Sequence, residues 1–286
     1  MARLRFTFYI LHSTFYILFL PVYNKITIAL KYLRYYFSAS NGKGHGVHSP
    51  FVFDFITSVL NNKQHYYAYD TVEAMRERLE LNRNTITVED MGAGSVTSAT
   101  KERSIGSIAR SAAKPRKYGQ LLFRMANRYR PNTIMELGTS LGITTGYLAL
   151  GNMEANVITM EGSVAIAEKA LENFRDMNLK NVKLVQGNFD DTLSKVLAAL
   201  ERIDMAFVDG NHRKVPTLDY FRQLIRVMSP ESVIVFDDIH WSREMEEAWE
   251  QIKQDSRVTL SIDLFFIGLV FFNPSFKVKQ HFTIRF

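Results

Sequence analysis

The sequence predicts an α/β fold: a doubly wound, mostly parallel seven-stranded sheet, closed by an antiparallel C-terminal hairpin and preceded by a helical cap. Three observations carry that expectation. From Thr133 onward, short apolar runs alternate with helical segments. Acids stand where those runs stop, at Glu161, Asp209 and the Asp237-Asp238 pair. A glycine-rich turn separates the first run from the first helix. Such alternation builds a parallel sheet with helices on both faces, and its ligands bind at the carboxyl ends of the strands.

The chain has 286 residues, 47% hydrophobic and 22% charged, which excludes collagen-like, low-complexity and wholly disordered chains. It has no cysteine, so disulfides, thiolate metal sites, cysteine nucleophiles and CxxC redox chemistry are all excluded. Any chemistry must use oxygen and nitrogen groups. The net charge of +6 is unevenly placed: residues 1–130 carry +11 and residues 131–286 carry −5. A basic first part suits an acidic partner such as a nucleic acid, an anionic lipid or a phosphorylated substrate, or is simply a solvated face.

Residues 1–24 form an apolar, aromatic N-terminal extension with a basic start, near the lower length limit for a membrane-spanning helix. Three readings stay open: a membrane-associated helix giving peripheral contact, a helix docked on the domain, or an upstream extension. The expected location is cytoplasmic, with membrane association through this segment as one variant. Residues 25–115 are expected to form a helical and loop cap. Within it, 25–38 is amphipathic, and Ser49 and Pro50 read as the cap and first position of a second helix. His45 and His48 stand beside that turn without a third metal ligand.

Two stretches place an acid before a glycine-rich turn. After Gly92-Ala-Gly94 the chain is Ser/Thr-rich and basic, so this stretch reads as a loop. In the second, Thr133–Leu137 reads as a buried strand, Gly138-Thr139-Ser140-Leu-Gly142 as a tight turn and 143–150 as a helix. A second strand, 157–160, then ends in Glu161, followed by Gly162 and Ser163. This order binds an adenosine-containing cofactor, because glycine lets the backbone approach closely and the acid accepts the ribose hydroxyls. A pyrophosphate would favour G-x-G-x-x-G. The spacing Glu136-x-Gly138-x-x-x-Gly142, with a carboxylate where a cationic tail can be met, favours S-adenosylmethionine.

The third strand, 180–188, carries Asn188, Phe189 and Asp190 toward the adenine. The fourth, 203–209, ends in Asp209, and the fifth, 232–238, ends in Asp237 and Asp238. Helices are expected over 164–177, 192–200 and 216–227. Residues 258–272 read as two antiparallel strands turning near 264–268, with an extended tail over 281–286.

Residues 116–286, and above all Met135-Glu-Leu-Gly-Thr-Ser, Phe207-Val-Asp-Gly-Asn-His and Val235-Phe-Asp-Asp-Ile-His, resemble the class I S-adenosylmethionine-dependent methyltransferases. Within that class they are similar to the bacterial small-molecule O-methyltransferases of the catechol and caffeoyl-CoA type, with a Rossmann-like sheet. The GHGVHSPFVF stretch also resembles the amino-terminal segment of one bacterial group in the class. The resemblance implies cofactor contacts from Glu136, Gly138, Thr139, Ser140, Gly142, Glu161, Gly162, Ser163, Asn188, Phe189 and Asp209. It also implies a divalent ion, Mg²⁺ by its oxygen donors, on Asp209, Asp237 and Asp238, the last standing where Asn is usual. His212 falls where relatives place a base. Trp241, after His240, is a wall for an acceptor or a packing residue.

The expected activity is therefore O-methylation of a small hydroxylated acceptor with a divalent cation. Nine basic residues over 101–130 against a single acid keep an RNA methyltransferase as the alternative. A (Asn/Asp)-Pro-Pro-aromatic turn for base amino groups is absent after the fourth strand, and cytosine C5 chemistry lacks its cysteine. A third reading is a non-catalytic cofactor-binding protein tethered to a membrane by residues 1–24.

Overall fold

The computed structural model describes residues 22–40, 42–89, 100–112 and 114–286. The apolar segment up to residue 21, and the stretch over 90–99 that was expected as a loop, lie outside the described residues. Helix α1, Lys25–Ser38, starts where the Asn24 side chain accepts the Thr27 N–H at 2.8 Å. Helix α2, Pro50–Asp54, has Ser49 as its cap and continues as a π-helical turn over Phe55–Leu60. That turn leaves carbonyls without helical partners, and the buried Arg124 guanidinium answers by donating from Nε to Val59 O at 2.6 Å.

Helix α3, Tyr67–Leu81, leads into a hairpin of β1, Thr85–Glu89, and β2, Thr100–Ser104. Helices α4, Ile105–Ala112, and α5, Arg116–Tyr129, follow. The cap region is therefore not only helix and loop: its polar, alternating Thr-Ile-Thr-Val-Glu run pairs with Thr-Lys-Glu-Arg-Ser across the loop.

The repeat then unfolds as expected: β3 Thr133–Leu137, α6 Ile143–Gly151, β4 Asn156–Glu161, α7 Val164–Asp176, β5 Val182–Gln186 and α8 Phe189–Ala198. Next come β6 Ile203–Val208, α9 Lys214–Leu224, β7 Met228–Asp237 and α10 Arg243–Gln254. The hairpin β8 Leu260–Asp263 and β9 Ile267–Phe271 and the short β10 Gln280–Thr283 end the chain. The sheet order is β10-β8-β9-β7-β6-β3-β4-β5, with β7 to β5 parallel and β9 antiparallel to both neighbours. The predicted fold class is borne out, with one more strand than the seven expected. The extra strand is β10, whose polar alternation reads as a tail and which becomes a strand only by adding parallel to the edge of β8.

Because side chains alternate along each strand, the sheet feeds two cores. Ile134, Val157, Phe207 and Val235 face α2, α5 and α6, while Met135, Met160, Val208 and Phe236 face α8, α9 and α10. Residues Val52, Phe55 and Ile56 of the cap pack in the first of these cores, so cap and sheet share one interior. Helix α1 is tied on by charge: Lys31 and the Tyr23 hydroxyl both reach Glu246, at 2.9 and 2.8 Å. Glu246 in turn meets His240 Nδ1 at 3.0 Å, and His240 Nε2 meets Asp263 at 2.8 Å. Burial alone would lower the His240 pKa, but its two carboxylate partners lift it to about 9. Among the described residues no helix is long and apolar enough to cross a membrane.

Candidate active site

Strand β3 ends in a turn that only glycine accommodates. Gly138 has φ +106°, and a Cβ there would stand 2.0 Å from the Asp209 carbonyl oxygen. The approach is so close because the ends of β3 and β6 are bonded, Asp209 N donating to Leu137 O at 2.8 Å. Gly138 N and Thr139 N both donate to Met160 O, which draws the turn over the end of β4. Ser140 N then donates to Glu161 Oε2 at 2.9 Å, and Ser163 N to Oε1 at 3.0 Å. Two backbone donors thus fix the carboxylate, and each oxygen keeps a lone pair for a further donor. Burial nonetheless raises the Glu161 pKa above its ordinary value.

Glu161 faces a cavity of about 480 Å³, within the range of small-molecule sites. Gly138, Gly162, Ser163, Asn188, Phe189 and Asp209 line it as well. So do residues that sequence reasoning missed: Tyr220 from α9, and Val88, Glu89, Lys101 and Arg103 from the β1–β2 hairpin. The basic 101–117 stretch was visible in the sequence, but nothing local says that its hairpin roofs the sheet edge.

Three expected cofactor residues lie elsewhere. Glu136 is fully buried on the α6 side of the sheet, where the Thr145 and Thr159 hydroxyls donate to its Oε2 at 2.5 and 2.6 Å. Burial pushes its pKa up to about 8 against the opposing hydrogen bonds of the two threonines, and it does not line the cavity. Its other oxygen, Oε1, has no hydrogen-bond partner among the described residues. Thr139 is buried on Thr159 at 2.6 Å, and Gly142 starts α6 against the Phe174 ring. These two shape the turn. Asn188 lines the cavity while its Oδ1 caps α8 by accepting Asp190 N at 3.1 Å.

Beside the large cavity lies a smaller one of about 210 Å³, and Gly138, Glu161, Asp209 and His212 border both. The acids at the ends of β6 and β7 meet here, as expected. The His212 ring lies 3.4 Å by Nε2 from Asp209 and 4.0 Å by Nδ1 from Asp238. Burial alone would lower the His212 pKa, but the Asp209 carboxylate beside it raises it above 6.5. Burial works on Asp209 in the opposite sense and is outweighed by His212 and Lys114, which leaves that pKa below its ordinary value. Asp237, buried and next to Asp209, is pushed upward.

The expected divalent ion would meet a competing cation in this arrangement. The point where Asp237 and Asp238 converge is taken by the ammonium of Lys114, 2.8 Å from Asp237 Oδ2 and 2.6 Å from Asp238 Oδ1. Among the described residues no group of three or more His, Asp or Glu side chains is arranged to hold a metal. The metal reading of Asp209, Asp237 and Asp238 therefore stays an expectation: the carboxylates are adjacent, and a lysine 123 positions before Asp237 in sequence lies against two of them. His45 and His48 are exposed on the turn before α2, and His240 serves the α1 attachment. Trp241 borders a narrow crevice with Ile28 and Phe265 next to Asp238.

Residues 135–239 match a family model described as a methyltransferase domain. The structure is similar to an S-adenosylhomocysteine-bound methyltransferase of Podospora anserina, with a TM-score of 0.55 and 16% identity, covering 79% of this chain and 97% of that one. It is similarly close to an O-methyltransferase of Bacillus cereus in complex with S-adenosylhomocysteine: TM-score 0.53, 20% identity, 77% of this chain and 97% of that one. Among curated proteins it is 29% identical over 113 residues to a tRNA (guanine-N(7)-)-methyltransferase of Mycoplasma mobile, a match covering 37% of this chain. The match spans only 56% of that relative's length. The fold and the glycine turn beneath Glu161 define a nucleotide-type cofactor domain of the doubly wound class. More particularly, residues 135–239 match the methyltransferase-domain model, and the fold is the one those S-adenosylhomocysteine-bound structures share.

Glu161→Ala is the direct check on the cofactor side. Loss of a charge-assisted contact to ribose hydroxyls is expected to weaken S-adenosylhomocysteine binding by about 10- to 100-fold. Calorimetry on a variant with unchanged circular dichroism would read it, and an unaltered Kd would remove Glu161 from the cofactor contacts.

Proposed function

We propose that this chain transfers the methyl group of S-adenosylmethionine to an oxygen of a small hydroxylated acceptor. The observation that carries the reading is the position of His212, beside Asp209 on the border between the cofactor-sized cavity and the smaller one. An apolar cavity of about 150 Å³ admits benzene, so about 210 Å³ suits a one-ring acceptor. When bound, the donor supplies an electrophilic methyl on a sulfonium. A hydroxyl attacks such a carbon well only as its proton leaves, and a neutral imidazole within reach takes that proton. In the balanced step the acceptor O–H proton passes to His212, an O–CH₃ bond forms and the S–CH₃ bond breaks to leave a thioether. Holding oxygen and methyl in line in a closed site supplies much of the remaining rate.

The alternative acceptor is RNA, favoured by the similarity to the tRNA methyltransferase. Part of the basic stretch behind that reading is engaged within the protein, by exposed ion pairs and by two buried side chains. Arg116 pairs with Glu73, Arg128 with Asp54 and Arg130 with Glu154, while Arg124 serves the π-turn and Lys114 the acidic cluster.

Tritiated methyl transfer from S-adenosylmethionine to a panel of phenols, catechols and hydroxy acids, run beside total tRNA, tests the reading. Label in a small hydroxylated product is the expected result. Label in RNA alone, falling steeply with salt, would replace the O-methyl reading with the nucleic-acid one.

A further inference from the structure

We propose that Lys114 is the built-in cation of this site and excludes a divalent metal from the Asp209–Asp237–Asp238 cluster. Lys114 sits in the link between α4 and α5 with a largely buried side chain, and its place is constructed from behind. Arg76 donates to its carbonyl at 3.0 Å, Glu73 holds Arg76 at 3.1 Å, and the Tyr147 hydroxyl donates to Glu73. Both Arg76 and Glu73 are buried, so this backbone is pinned from α3.

An ammonium has three donors. Asp238 accepts from one, Asp237 Oδ2 lies at ion-pair distance, and the side chain also lines the 210 Å³ cavity shared with His212. A Mg²⁺ ion needs oxygens at about 2.0–2.1 Å in near-octahedral order. It would have to take the same carboxylate oxygens that Lys114 holds at 2.6 and 2.8 Å, a few ångströms from a fixed positive charge. The lysine also gives the Asp238 carboxylate a partner of opposite charge.

Consequences for the acceptor follow, and this step alone rests on the O-methyl reading. A metal with open positions chelates two neighbouring oxygens, whereas an ammonium offers a single point charge. The acceptor class is then a molecule with one reacting hydroxyl, with no requirement for a vicinal diol.

Mn²⁺ binding is measured by electron paramagnetic resonance and calorimetry on the full chain saturated with S-adenosylhomocysteine. The proteins compared are the wild type, Lys114→Ala, Lys114→Met and Lys114→Ala/Asp237→Asn. The wild type is expected to bind no Mn²⁺ at submillimolar concentration. Removing the ammonium should create one site, tighter by on the order of 100-fold, which the added Asp237→Asn abolishes. S-Adenosylhomocysteine affinity reports whether each variant is folded, and Lys114→Met, of similar length, covers a failure of the alanine variant.

One tight Mn²⁺ in the wild type overturns the proposal. So does a folded lysine variant that gains no site. If both variants fail to fold, the wild-type titration decides by itself. A wild type that binds no S-adenosylhomocysteine overturns the methyltransferase reading instead and leaves the metal result to stand alone.

Discussion

His212→Ala is expected to lower kcat by about 10²- to 10⁴-fold, the usual worth of a positioned general base, with S-adenosylhomocysteine affinity changing far less. The wild-type pH profile gives the second readout. A base works only when neutral, and the Asp209 carboxylate holds the His212 pKa above 6.5. So kcat/KM should rise with pH through an inflexion above 6.5 and then level off. In Asp209→Asn the nearer raising charge is gone, Asp238 still raises, and burial, which lowers the pKa, remains. The inflexion should then move toward lower pH. A profile that is flat from pH 5.5 to 9, or a His212→Ala enzyme within threefold of the wild type, would remove the histidine from the chemistry. The same raised pKa has a stability consequence of fixed sign. Protonated His212 stabilises the fold fully below its unfolded value of about 6.5, and that contribution is lost as pH rises through the folded value.

Gly138→Ala is expected to cost both stability and cofactor binding. At φ +106° an L side chain is strained by about 1–2 kcal/mol. The added Cβ would also meet the Asp209 carbonyl at 2.0 Å, a backbone atom that cannot rotate aside. Relieving the clash means parting the ends of β3 and β6, and overpacking of this kind costs a further 1–3 kcal/mol or so. A fall in Tm of roughly 5 °C or more follows. Because the same movement drags Ser140 N off Glu161, S-adenosylhomocysteine affinity should fall by on the order of 100-fold. Gly46→Ala is the matched control: φ is +79° there, but nothing lies within 4 Å of the new Cβ. It should show only the conformational strain and unchanged binding. Equal effects of the two substitutions would mean that the approach of Asp209 to Gly138 does not shape the site.

Much of the site was legible before folding because its signals are local. A run such as Thr133–Leu137 is buried on both faces and reads as a parallel strand, and the glycine spacing marks a turn that backbone sterics demand. Given a parallel sheet, the acids at strand ends must share one edge, so Glu161, Asp209 and Asp237 could be brought together from spacing alone. Other features depended on partners that no window of sequence contains. The face on which Glu136 lies follows from the strand alternation, but its raised pKa follows from full burial in the folded interior, which outweighs the opposing hydrogen bonds from Thr145 and Thr159. The basic stretch over 101–130 looked like a surface for an acidic partner, yet Arg116, Arg124 and Arg128 meet groups far away in the chain. Strand β10 is too polar and short to declare itself and exists because β8 offers an open edge.

By itself, then, the sequence determined the order of strands and helices from β3 to β9, the glycine turn and the carboxylates at the sheet edge, since these follow from backbone sterics and hydrophobic period over a few residues. Only the tertiary structure decided which cation answers those carboxylates, what roofs the cavity and which acids stay charged. Coulomb energy and desolvation depend on distance in space, and Lys114 reaches Asp238 at 2.6 Å across 124 positions of chain.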